Sequence, residues 1–155
     1  MFADVPHPGD DGIIGTPEHV EVCGECGDLR AALGGRRWRE LADDESSSAY
    51  VSQAISFYTA GGWQYYLPAY LIQSIRRGRF SSLYFRPTSD PGLVEYQEER
   101  VGRLTPDQCR VVIAYLLVVL KEDRSCQYEV ERHAEAVRYW KENYRMAAAR
   151  RRRSI

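Results

Sequence analysis

The stretch Thr105-Pro106-Asp107-Gln108, followed by the apolar run Val111 to Leu120, constrains the fold more than any other part of the chain. A threonine hydroxyl at a helix start accepts from the amide three residues on, and a glutamine there reaches back to the threonine amide. A proline between them gives up no hydrogen bond in the first turn. These four residues predict a helix start. The run behind them is apolar on nearly every side, so the helix, ending near Asp123, is expected to sit centrally, packed by a helix containing Pro68 and another containing Trp140. From about Gln127, Val130, Ala134, Val137, Trp140 and Tyr144 recur at three- to four-residue spacing and predict a final helix, whose cationic end suits the negative pole of the helix dipole.

The rest of the chain points to the same class: mainly α, a single compact helical domain over residues 1–155, with at most a short β element. Length supports one core and not two comfortable ones. Residues 1–17, rich in proline and glycine, read as an extended loop. The alternation His19-Val20-Glu21-Val22 predicts one short strand, and Asp28 to Leu33 a short helix stopped by Gly34-Gly35. Residues 80–91 read as a loop, Leu93 to Val101 as a short helix, and the basic stretch 145–155 as a frayed tail.

A second stretch, Trp63-Gln64-Tyr65-Tyr66-Leu67-Pro68-Ala69-Tyr70-Leu71, is helical in spacing but carries a proline. Thr59 is a plausible N-cap for it, although Gly61 and Gly62 each cost about 1 kcal/mol against alanine. Pro68 lacks the amide that would bond the carbonyl of Gln64, so a kink or a break is expected there. This string resembles the centre of a family of small bacterial proteins of unknown function. Phe2-Ala3-Asp4-Val5-Pro6-His7-Pro8-Gly9-Asp10-Asp11, Trp38-Arg39-Glu40-Leu41, Leu104-Thr105-Pro106-Asp107-Gln108 and Trp140 are similar to it as well. The resemblance spans most of the chain and implies a fold, with no catalytic residues to carry over. Where this chain has Gly61-Gly62, that family tends to have better helix formers.

Residues 1–28 contain acids and no lysine or arginine, whereas the chain from Arg145 on is basic. The net charge of −1 points to no particular partner. No export signal is visible at the amino end, and the longest apolar run is about half of a membrane span, so no membrane association is expected. Four irregularly spaced cysteines in such a chain imply reduced thiols and a cytoplasmic location. Lys121 and Lys141 are the only lysines against many arginines, a bias of GC-rich bacterial genomes.

Cys23-Gly24-Glu25-Cys26 has the spacing of a zinc knuckle or a redox motif, but no second CxxC accompanies it. Cys23 and Cys26 therefore read as loop and cap cysteines, with His7 and His19 the candidates to join them if a metal is bound. No cofactor is expected. The leading functional reading is a non-catalytic module that binds another protein through exposed members of Trp63, Tyr65, Tyr66, Arg76 and Arg77, since aromatic rings and arginine concentrate binding energy at interfaces. An inhibitor or immunity-type protein is one concrete version, its acidic amino end matching a basic target. The rivals are a metal-dependent enzyme or zinc-stabilised domain built on Cys23, Cys26 and the amino-terminal His and Asp residues, and, more weakly, nucleic-acid binding through Arg150 to Arg153.

Overall fold

The structure, a computed structural model, describes residues 1–79, 85–122 and 127–153. Among them are eight α-helices and no β-strand; one antiparallel bridge joins Ile14 to Tyr58. The mainly α class is as expected. The chain divides into two compact units, residues 2–79 and residues 80–155 with Met1.

In the first unit the chain is irregular as far as Thr16, apart from a 3-10 turn at Asp10–Gly12. Helix α1 spans Pro17–Val22, so the strand expected at His19–Val22 is a helix instead. The cause is local: the Thr16 hydroxyl accepts from the His19 amide (3.3 Å), and Pro17 occupies the first turn. Helix α2, Gly24–Leu33, starts a turn earlier than expected and ends where the Gly34 amide bonds the Arg30 carbonyl (2.8 Å). Helices α3 (Trp38–Asp43) and α4 (Ser48–Ala54) follow, separated by a 3-10 turn, Glu45–Ser47, capped by Asp44.

Helix α5, Ala60–Arg76, begins as expected, with Thr59 accepting from the Gly62 amide (2.9 Å). It continues through Pro68 with no break. A proline inside a helix costs about 3 kcal/mol. Here every residue from Tyr65 to Leu71 is buried, and α5 packs against both α3 and α4, so burial outweighs that loss.

In the second unit, α6 is Pro91–Gly102, α7 Pro106–Glu122 and α8 Gln127–Arg153. Thr105 and Gln108 make both bonds of the predicted capping box (3.3 and 3.0 Å). The loop expected at 80–91 lies partly outside the described residues; residues 85–90 precede α6 and bring Phe85 into the core. Helices α7 and α8 run antiparallel, with Arg110 donating to the Tyr144 hydroxyl (2.8 Å) near one end. Phe85, Val112, Tyr115, Leu116, Val119, Val137 and Trp140 are buried in this unit, and the Trp140 indole donates to the Phe85 carbonyl (2.8 Å). The stretch expected to fray is helical as far as Arg153, and Ala147 within it is buried.

Candidate functional site

The aromatic residues expected to form a docking face are buried. Trp63, Tyr65 and Tyr66 are 1%, 6% and 0% exposed. Tyr66 stacks on Tyr58 (5.5 Å between ring centres) and meets Tyr65 edge-on. Its hydroxyl faces the carbonyls of Arg36 (2.9 Å) and Leu33 (3.1 Å), one of which takes its proton, and its oxygen lies 3.0 Å from His7 Nε2. The Gly9 amide donates to His7 Nδ1 (3.1 Å), so the Nε2 tautomer carries the proton toward Tyr66. Burial pushes the Tyr66 hydroxyl well above its ordinary range, so it stays protonated as a hydrogen-bonding group. Arg76 and Arg77 are exposed but engaged at the end of α3 and the turn after it. Arg76 bonds the Ala42 carbonyl (2.7 Å) and the Asp43 carboxylate (3.0 Å), and Arg77 the Glu45 carbonyl (2.5 Å). All five residues bond or pack within the first unit, and the aromatic members are buried.

Two places take over as candidates. The first is on α1 and α2. His19 sits on α1, Cys23 at the junction of the two helices and Cys26 in the first turn of α2. Their ligand atoms all lie within 4.8 Å of one another. Cys26 is buried, Cys23 half-buried and His19 exposed. Burial, with the adjacent Cys23 thiol, pushes the Cys26 thiol up to about 11. The sequence reading named His19 as a candidate partner of the two cysteines but placed His19–Val22 in a strand, which does not explain how it reaches Cys23. Four residues span about 13 Å in a strand but about 6 Å in a helix, where positions i and i+4 share a face. His7, the other imidazole candidate, is occupied with Tyr66 and Gly9 and stands outside the cluster.

The second place is α7. The helix expected to be buried on nearly all sides is buried on one: Gln108, Cys109, Val112, Tyr115, Leu116 and Val119 point inward. Ala114, Leu117 and Val118 are exposed, with Leu117 at 47% and Val118 at 38%. Arg110 and Lys121 lie on the same side at either end. The apolar run hid this face, because a helix of uniformly apolar residues gives no periodicity from which to tell an inward side from an outward one.

The Arg-rich end of α8 is exposed, but part of it is engaged within the chain. Arg151 lies 4.0 Å from the Asp107 carboxylate, and Arg150, Arg151 and Asp107 together border a cavity of about 530 Å³ at the start of α7. An acid within that border works against phosphate binding there.

Compared with known families, residues 24–144 match the model of DUF6714, a family of unknown function. The chain belongs to that family. Comparison with curated proteins and with solved structures gave no match. The matched residues of this DUF6714 member include α3, α5, α6, α7 and Cys26, whereas His19 and Cys23 lie just ahead of them.

Proposed function

We propose that this DUF6714 protein is a non-catalytic helical module that binds another protein through the exposed face of α7. The observation that carries the reading is the stripe of Ala114, Leu117 and Val118 on a helix whose opposite side is core. Contiguous exposed apolar surface on a helix is a recurrent mark of interaction sites. The spacing 114, 117, 118, 121 is what one helix presents to another that lies along it. Arg110 and Lys121 bracket the stripe, and the chain from residue 80 on carries more basic than acidic residues. The occupant that fits is an amphipathic partner helix with an apolar stripe and acidic residues at its ends. This chemistry differs from the basic target that an acid-rich inhibitor would need.

The test is the double variant Leu117→Asp/Val118→Asp. Both residues are exposed, so helicity and thermal midpoint should stay close to the parent. Affinity for the native partner should fall by about 2 kcal/mol or more, because charge is placed where the partner buries apolar surface. Unchanged affinity in a folded double variant would overturn the reading.

A further inference from the structure

We propose that His19, Cys23 and Cys26 form a zinc site, a property independent of protein docking through α7. A tetrahedral zinc ion, at about 2.3 Å from sulfur and about 2.0 Å from nitrogen, needs ligand atoms about 3.5–3.8 Å apart. The three donors lie within 4.8 Å of one another already. A shift of about 1 Å by the ligand atoms would bring all three to that spacing.

The backbone that carries the donors is fixed on both sides of the junction. The Cys23 amide bonds the His19 carbonyl (2.9 Å), ending α1, and the Gly27 amide bonds the Cys23 carbonyl (3.0 Å), opening α2. Val20 and Leu29 anchor the two helices in the core. Gly15 leaves room for the imidazole: a Cβ there would press on the His19 ring at 3.3 Å. A metal on these ligands would thus meet an assembled site, with little ordering left to do.

The donor set selects the ion. Two thiolates and one imidazole favour zinc over magnesium or calcium, which prefer oxygen. Among the described residues no fourth His, Cys, Asp or Glu joins the cluster. On the side where His19 is exposed the site is open to water as a fourth ligand. Binding releases the two thiol protons to solvent and ties α1 to α2 through the metal. The lone CxxC gains a histidine from the preceding helix as its third ligand.

The experiment uses the full chain, reduced and metal-free, titrated with cobalt(II) and then with zinc in competition. The expected result is one cobalt per chain with a thiolate-to-cobalt charge-transfer band and the visible bands of tetrahedral cobalt, all displaced by zinc. Cys23→Ser/Cys26→Ser should abolish the thiolate band, and Cys109→Ser should leave it intact. His19→Gln changes an exposed side chain and should stay folded by circular dichroism. It should keep the thiolate band while weakening affinity by about tenfold or more, since even residues that merely orient a ligand contribute that much. Absence of the thiolate band in the reduced parent would overturn the site. So would His19→Gln binding as tightly as the parent, or a Cys23–Cys26 disulfide that persists under reductant and excludes the metal.

Discussion

Gly62 shows how a single residue can be misread from its type. By helix propensity it costs α5 about 1 kcal/mol, and alanine should repair that. In the fold, a Cβ at this position would lie 2.3 Å from the Ile13 carbonyl oxygen, which belongs to the amino-terminal segment crossing α5. The Thr59 hydroxyl donates to the Gly12 carbonyl, and the Thr59 amide bonds the Ile13 carbonyl (3.0 Å), so that segment cannot easily retreat. The steric term exceeds the propensity term. Gly62→Ala should lower stability by about 1–3 kcal/mol, read as a drop in the thermal or urea midpoint. A rise would mean that the segment yields freely. The same crossing explains the aromatic helix. Tyrosines at adjacent angles cannot all face one neighbour, but α5 has α3, α4 and the strap of residues 2–14 around it, and His7 meets both Tyr65 and Tyr66. The strap's reach across α5 depends on contacts distant in sequence, so no local pattern revealed it.

At the scale of elements, the capped helices were legible and the short ones less so. The capping box of α7 and the Thr59 cap of α5 follow from residues one turn apart. Helix α1 was misread because four alternating residues outweighed the cap and proline that precede them, and that error left the nearness of His19, itself a candidate ligand, to Cys23 without a structural basis. The turn between α3 and α4 depends on Asp44, whose carboxylate accepts from the Ser46 amide (2.9 Å) and hydroxyl and from Arg36 (2.7 Å). The hydrogen bonds from Ser46, with the Arg36 guanidinium beside them, hold its pKa down at about 2. A carboxylate depressed below its unfolded value of about 4 stabilises the fold above that pH and ceases to do so as pH falls through about 2. Asp44→Asn should therefore lower the urea midpoint at neutral pH, with the difference from the parent shrinking as pH falls from about 4 to about 2. A difference independent of pH would show that the charge on Asp44 is not what the turn uses.

For the molecule as a whole, charge is divided along the chain, acidic in residues 2–79 and basic from residue 80 on. Among the described residues no helix is long and apolar enough to cross a membrane. The apolar content of the YYLPAYL stretch is spent on the core of the first unit, which leaves the outward side of α7 as the surface best suited to a partner. Composition and periodicity made the helical class readable; which apolar residues remain outside depends on how helices far apart in the chain pack. The central claim, that this side of α7 is a docking surface, is tested most directly by site-specific photo-crosslinking in the native cell. A photoreactive residue replaces Leu117, with Tyr50 and Arg138 as exposed controls elsewhere. One discrete adduct with a different protein from position 117, absent from the controls, is the predicted result. No adduct at 117, the same adducts at all three positions, or a crosslink to a second copy of this chain would contradict it.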